Sequence, residues 1–410
     1  MPQRPFRFLH AADFRLEEPL SGLAEVPDEL RDLLVEAPLL AARQAFDTAL
    51  SEEVDFVVLA GALADLQQAG PQVLLFFAEQ LGRLAEKGIA VYWAGGPGDP
   101  PESWPAWLAL PENVRRFPRG RIEHIVHHRD AVPLAKIIGT SRDPKRAVSL
   151  EEMQLDPAGL FTVGVLYGEF APDLLRAQEL SYWALGGKPL RSTLFSTPQV
   201  AHYPGGPQGL HPAAGGAHGC TLVQVDEQAA CRITLMPTDA VRWHQQRLTI
   251  EPSTTEEDLR ALLRDQVQTL LESVSSRAVL AAWTIAGQGP LLSQLRRGAL
   301  AGQLLGWLRE EYRRTSPCVW TISVEAESTA TLPAESYEQE TILGDFLHQV
   351  RHYQMNDREP LYLDPYIHSR HQAGTLGDRL DLSAPETRRH VLGEAALLGA
   401  DLLKGEEPQS

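Results

Sequence analysis

Three apolar runs near the N-terminus, each closed by a turn, organise the pattern of this chain. Phe6-Arg7-Phe8-Leu9-His10-Ala11-Ala12-Asp13 reads as a first strand that continues into Phe14-Arg15. Asp55-Phe56-Val57-Val58-Leu59-Ala60 reads as a second and ends in Gly61-Ala62-Leu63-Ala64-Asp65. Ile89-Ala90-Val91-Tyr92-Trp93-Ala94 reads as a third and ends in Gly95-Gly96-Pro97-Gly98-Asp99. Between them, residues 39–53 and 71–87 carry helical apolar periodicity, and Pro71 stands where a first helical residue tolerates proline. Strand, helix, strand, helix, strand predicts βαβ units in an α/β protein. Turns at such strand ends are where α/β folds place their chemistry.

Beyond residue 113 the pattern shifts to short extended runs. Residues 122–126, 134–139, 160–166, 200–203, 220–225 and 231–236 predict strands, with a helix at about 172–180. Glycine and proline crowd residues 204–216, which predicts a loop and not a core element. A boundary falls near Pro237. Past it, a strand at 247–250, a helix over 259–274 opened by a capping-box pattern in Ser253-Thr254-Thr255-Glu256, a strand at 279–285, a helix at about 291–313 and a strand at 319–324 predict a small α+β unit. From residue 331 the chain is acidic and helical, with loops at 356–385 and a final helix from Glu386 to Leu403. That helix carries Val391, Leu392, Ala395, Leu398 and Leu402, expected on one face. The predicted domains are therefore 1–236, 237–330 and 331–410.

Composition adds little to this picture and charge adds more. The chain has 410 residues, of which 43% are hydrophobic, enough for two or three globular domains. No apolar run approaches the roughly 18 residues of a membrane span. Three cysteines, Cys220, Cys231 and Cys318, are too scattered for a disulfide framework or a Cys-rich metal site. With no signal-peptide core visible at the N-terminus, a cytoplasmic place is expected. The net charge of −17 opposes non-specific affinity for nucleic acid. Residues 101–150 depart from it, with nine basic and five acidic side chains. Arg115, Arg116, Arg119 and Arg121, with Arg129, Arg142, Lys145 and Arg146, form a basic zone that either touches phosphates or is a solvated face.

The order and spacing of the three strand ends resemble the calcineurin-like metallophosphoesterases, and within them the SbcD and YhaO type of DNA-repair exonuclease. The resemblance implies a two-sheet sandwich flanked by helices, a small α+β capping domain and a helical C-terminal region. It also implies two manganese ions, held by D-x-H, G-D-x-x-D and G-N-H-D at the three strand ends and by two later His-bearing segments. A bridging carboxylate would hold the two cations against their own repulsion. This chain departs from that pattern at nearly every ligand. Asp13 is kept, but Arg15 stands for the first histidine and Ala62 for the bridging aspartate. Pro97 and Gly98 stand for the Asn and catalytic His; Tyr167 stands in the segment carrying a single His; Gly187 and Pro189 stand for the last two. Alanine, glycine and proline offer no side-chain donor, and Arg15 puts a cation where a metal would sit.

The resemblance thus predicts a catalytically degenerate SbcD/YhaO-like subunit in a DNA-repair assembly. Such a subunit is expected to dock a coiled-coil, SMC-like ATPase of the SbcC or YhaN type, and homodimers occur in the family. Two alternatives stand beside it: an active phosphodiesterase rebuilt from Asp13, Asp65, Asp99 and His10, or an interaction module unrelated to DNA. For the carboxylates, the alternative to a weak cation site is an Asp13–Arg15 ion pair with Asp65 and Asp99 capping turns. His10 is expected to be a hydrogen-bonded core histidine, and His127-His128 an exposed strand end. Tyr167, Trp183 and Tyr203 are either packing residues or an aromatic platform for bases. His368 and His371, at i, i+3, lie between Pro365 and Gly374 and are read as loop more than metal site. There is no phosphate-cradling G-x-x-x-x-G-K, no G-x-G-x-x-G and no G-x-S-x-G.

Overall fold

A computed structural model describes residues 4–153, 159–274, 277–327, 332, 334–356, 359–361 and 385–403. Two compact units divide the chain. One is Met1–His244 with Leu271–Leu280 and Thr315–Trp320; the other is Gln245–Leu270, Ala281–Arg314 and Thr321–Ser410.

The first unit is built on two six-stranded sheets. One takes β1 (Phe6–Ala11), β2 (Phe56–Ala60), β3 (Ala90–Ala94), β4 (Val114–Arg116), β11 (Gly219–Val225) and β12 (Cys231–Pro237) in the order β12-β11-β1-β2-β3-β4. The pairs β1–β2, β2–β3 and β3–β4 are parallel, as βαβ connections demand. The other takes β5 (Glu123–Arg129), β6 (Val132–Gly139), β7 (Phe161–Tyr167), β8 (Tyr182–Gly186), β9 (Ser192–Phe195) and β10 (Val200–Tyr203) in the order β5-β6-β7-β8-β10-β9. Strand alternation sorts the core into layers. Phe8, Phe56, Val58 and Tyr92 face Ile137, Val163 and Tyr182 between the sheets. Leu9, Ala11, Val57 and Leu59 face the other way, onto Phe46 of α1 (Asp28–Ser51) and Phe77 and Leu81 of α2 (Pro71–Glu86). Leu166, Trp183 and Leu185 on the far side of the second sheet close a third layer with Leu175 of α3 (Pro172–Arg176).

Several expectations are corrected. The first helix begins at Asp28 and runs through Pro38, because Leu30, Leu34, Ala37, Ala41 and Ala45 continue one buried stripe across the proline. Burial of that stripe outweighs the roughly 3 kcal/mol cost of an interior proline. The Gly/Pro-rich segment is core at its start: Pro204 to Gly209 are buried. Gln208 supplies the polar partners such a loop needs. Its Oε1 accepts from the N–H groups of Ala240 and Val241 at 2.9 and 3.3 Å, and its Nε2 donates to the Val241 carbonyl at 2.6 Å. His127 is not exposed; it packs on Phe56 and hydrogen-bonds the Tyr92 hydroxyl at 2.9 Å. Trp183 and Tyr203 are fully buried, so they offer no platform for bases.

The second unit carries most of a three-stranded sheet, ordered β13-β14-β15 (Val241–Ile250, Ala278–Gly287, Val319–Ala326), whose first few residues per strand group with the first unit. Helix α4 (Glu256–Ser273) is capped reciprocally by Thr255 and Asp258: Asp258 N donates to Thr255 Oγ1 at 3.2 Å and Thr255 N to Asp258 Oδ2 at 3.0 Å. The helix expected at 291–313 is two, α5 (Pro290–Arg296) and α6 (Ala299–Tyr312), broken by Gly298 at φ 90°. Helix α7 (Ala334–Tyr337) precedes α8 (Ile342–Met355), which packs on the last helix, α9 (Pro385–Leu403). The expected stripe on α9 is not a single face. Leu392, Ala396 and Ala400 pack against Leu343, Leu347 and Val350, while Leu398 and Leu402 are exposed. Ser293 and Arg296 bind the Asp401 carboxylate at 2.9 and 3.1 Å and fix α9 to its own unit. His368 and His371 lie outside the described residues.

Candidate functional site: turns at the carboxyl ends of β1, β2, β3, β7 and β8

The turns that follow the parallel strands meet at one edge of the first unit. Main-chain bonds zip the first two together: Asp13 N to Gly61 O, Arg15 N to Ala62 O and Leu16 N to Leu63 O, at 3.0–3.2 Å. Asp13, Arg15 and Ala62 adopt left-handed backbone at φ 53°, 49° and 52°. Non-glycine residues pay strain there, and such strain concentrates at functional sites. The three residues give the backbone a bent course at this edge.

Asp99 is wholly consumed by the turn. Its Oδ1 accepts from the N–H groups of Gly96 and Ala62 at 2.7 and 3.0 Å; its Oδ2 accepts from Trp93 Nε1 and Leu63 N at 3.1 and 3.3 Å. Burial pushes its carboxyl up to about 6, with those four donors opposing the shift. Asp65 caps its own turn, accepting from Gln67 N and Gln68 Nε2 at 3.0 and 2.7 Å. Asp13 is buried and also pushed up to about 6 by burial, against the N–H groups of Gly187 and Lys188 and the nearby Arg15 charge. Its Oδ2 accepts from Gly187 N at 2.8 Å; its Oδ1 is buried and makes no hydrogen bond of normal geometry. Arg15 does not pair with Asp13. It reaches Glu18 at 3.5 Å.

Tyr167 takes the remaining space. A Cβ built on Gly61 would stand 2.6 Å from its ring, one on Gly96 3.3 Å and one on Gly187 3.5 Å. These glycines let the aromatic ring lie against the strand ends. Burial, and the charges of Asp13 and Asp99, raise the Tyr167 phenol above its ordinary value, so it stays neutral at physiological pH. Pro97 is exposed, Gly98 packs on the backbone of Asp65, and Pro189 forms the rim. His10 is not drawn to the carboxylates. It lies in a polar layer between the sheets with its Nδ1 at 3.0 Å from the Tyr182 hydroxyl, beside His202, whose nitrogens meet Thr193 and Thr221 at 2.9 and 3.0 Å. Burial holds His10 well below the usual histidine range and His202 down to about 3.

Among the described residues, no three His, Cys, Asp or Glu side chains converge as metal ligands. The two divalent cations implied by the family resemblance do not fit this donor set. One carboxylate is saturated by N–H donors, the other is half used, the phenol is neutral and a guanidinium stands alongside. The Asp99 cradle and the Tyr167 ring were not legible as such in the sequence. The signal for both was the glycine content of Gly61, Gly95-Gly96 and Gly186-Gly187, which marks close approach and not just turning. The basic zone is partly occupied: Arg116 binds the Pro101 carbonyl, Arg119 pairs with Glu102 at 2.9 Å, and Arg129 pairs with Asp55 at 3.0 Å.

Residues 243–329 match the family model for metallophosphoesterase YhaO, middle domain. A curated relative, an uncharacterized metallophosphoesterase YhaO of Bacillus subtilis (strain 168), is 29% identical over 232 residues. That match covers 53% of this chain and spans 57% of the relative's length. A solved structure from Streptococcus pneumoniae TIGR4, a conserved uncharacterized protein described as a predicted phosphoesterase, matches with 10% identity over 57% of this chain and 99% of its own, at a TM-score of 0.26. The two packed sheets with helices outside, together with these matches, support a likeness to the calcineurin-like metallophosphoesterases. The chain is similar to YhaO over residues 243–329 by the family model and over 232 residues by the curated relative.

Proposed function

We propose that this chain is a YhaO-like metallophosphoesterase that has given up hydrolysis and acts as a non-catalytic, cytoplasmic subunit of a DNA-repair or DNA-end-processing assembly. The observation that carries the reading is the Tyr167 ring lying against Gly61, Gly96 and Gly187, beside an Asp99 whose four acceptor sites are filled by the turn. Side chains that would hold two cations are replaced by a packed ring and by structural hydrogen bonds. The role left to the fold is to present surfaces. Helix α9 exposes Leu398, Leu402 and Leu403, which suits a coiled-coil ATPase as partner. Arg115, Arg121, Arg142, Lys145 and Arg146 are exposed and suit contact with phosphates.

Manganese titration by calorimetry, run beside hydrolysis of bis(p-nitrophenyl) phosphate, tests the loss of catalysis. The expected result is no saturable uptake of two ions per chain and no metal-dependent turnover. Two tight sites with turnover overturn the reading and favour a rebuilt catalytic centre. DNA affinity that is steep in salt and lost on changing Arg115 and Arg121 supports the assembly role; affinity unchanged by those substitutions takes the contact away from this zone, and no affinity removes DNA contact from the reading.

A further inference from the structure

A small cavity of about 60 Å³ lies in the first unit, between the residues just before β5 and the segment that follows β6. None of its lining residues belongs to the strand-end turns described above. Its walls are held by main chain. Gly120 N donates to Ser141 O at 3.1 Å and Ser141 N to Pro118 O at 3.0 Å, which fixes the strand entry that carries Arg121. Opposite, Asp143 closes the turn that carries Arg146: its Oδ1 accepts from Lys145 N at 2.9 Å and its carbonyl from Arg146 N at 3.3 Å. Ile122 and Val148 line the cavity and pack onto the outer core layer of the second sheet, so its floor is closed. Arg121, Arg146 and Ser149 stand on the lining and are exposed to solvent. Among the described residues, neither guanidinium has an ion pair or a hydrogen bond, and the Ser149 hydroxyl has none either. They differ in this from Arg116, Arg119 and Arg129, whose side chains are taken. Glu152 is the one acidic residue on the lining, and the two guanidinia outnumber it.

We propose that this cavity seats the terminal phosphate monoester of a DNA end. Its volume corresponds to roughly two water molecules at their share of liquid volume, room for a phosphoryl group and not for a sugar or a base. A terminal phosphoryl group projects from its chain, offers three oxygens and carries a charge of about −1.5 to −2 at pH 7. A backbone diester carries a single charge and a sugar on either side, which a closed floor keeps out. The Arg121 and Arg146 guanidinia donate to the phosphoryl oxygens through paired N–H groups, and the Ser149 hydroxyl donates to a further one. The excess of positive charge on the lining favours the more highly charged monoester. A net charge of −17 over the whole chain opposes a polyanion elsewhere, which concentrates affinity in local positive sites of this kind. This role rests on the proposed place of the chain in DNA-end processing and names the part of the DNA it holds.

The test is fluorescence anisotropy of the full chain with one short DNA duplex phosphorylated at its ends and the same duplex ending in hydroxyls, with inorganic phosphate titrated alone by calorimetry. The phosphorylated duplex is expected to bind about tenfold more tightly, and that advantage is expected to vanish in Arg146→Gln and in Arg121→Gln. Both side chains are exposed, so the variants are expected to fold, and the ratio of the two affinities reads out even where Arg121→Gln weakens both. Equal affinity of the wild type for the two duplexes overturns this inference and leaves DNA contact standing. An advantage kept by either variant takes the phosphate away from this cavity and overturns it too. Inorganic phosphate bound as tightly as the phosphorylated duplex makes free phosphate the ligand and overturns the DNA end as its source. No affinity for either duplex sinks the DNA reading, and this inference with it.

Discussion

Asp99 and Asp13 sit at neighbouring strand ends, both buried, both with carboxyls pushed up to about 6 by burial, and they have been put to opposite uses. Asp99 accepts four hydrogen bonds and has become part of the turn. Asp13 accepts from Gly187 N through Oδ2 at 2.8 Å, with the Lys188 N–H also favouring its charged form, and draws no side-chain donor. A buried polar group is retained either because the fold needs it satisfied or because something outside the fold satisfies it. The first turn therefore reads as architecture, and the second as a carboxylate held by fewer donors.

The comparison breaks most severely at Asp99. Asp99→Ala leaves four N–H donors facing an empty site, three of them main chain. A loss of about 3–5 kcal/mol in chemical denaturation is expected, several donors each carrying a cost of about 1–3 kcal/mol with partial relaxation. A loss below about 1 kcal/mol would show that water serves the turn as well as the carboxylate does.

Tyr167→Ala comes next. The ring is half-buried, so about 2–3 kcal/mol is expected, less than for a wholly buried aromatic. Removing the ring also relieves its close approach to Gly61, where an added Cβ would stand 2.6 Å away. Gly61→Ala is accordingly expected to cost less in the Tyr167→Ala background than in the wild type, a coupling that a double-mutant cycle measures. The φ of +78° at Gly61 keeps a residual cost in both.

How far such features were legible follows from the range of the interactions that make them. Strands β1, β2 and β3, the Pro71 start of α2 and the Thr255 cap are local in sequence, and residue pattern alone predicts them. That Ala62, Pro97, Gly98, Gly187 and Pro189 bring no metal-donating side chain to this edge was equally legible, since side-chain chemistry follows from residue identity. What fills the edge was not. Asp99 is satisfied by Ala62 and Leu63, more than thirty residues away in sequence, and the Tyr167 ring is placed by glycines from three different turns. Pro38 inside α1 and the buried Pro204–Gly209 loop are likewise settled by tertiary burial over local preference.

Asp13→Asn sharpens the comparison through pH. A carboxyl at about 6 in the folded chain against about 3.9 unfolded binds more protons folded than unfolded between those values. Its ionisation therefore destabilises the fold progressively as pH rises from about 4 to about 6, and protonation relieves that cost on the way down. Asn does not titrate. Lowering the pH from 7 to 4 is expected to favour wild type over Asp13→Asn by about 1–2 kcal/mol in urea titrations, after allowance for local relaxation. The buried histidines act in the opposite sense. His202, held down to about 3, loses stability for the fold as pH falls below the ordinary histidine value. They act equally in both proteins and cancel in the difference. A flat difference would mean that Asp13 is solvated like a surface carboxylate.

The smallest effect belongs to Arg15→Gln, and it separates the two uses most cleanly. The Arg15–Glu18 pair spans 3.5 Å between side chains that are 31% and 46% exposed, so its removal is expected to change stability by no more than about 0.5 kcal/mol. The strained φ of +49° remains, because glutamine pays it too. A variant with unchanged denaturation would show that Arg15 adds nothing to the stability of this turn. A loss of about 2 kcal/mol or more would instead make Arg15 a structural counter-charge to Asp13, and the difference drawn between the two turns would disappear.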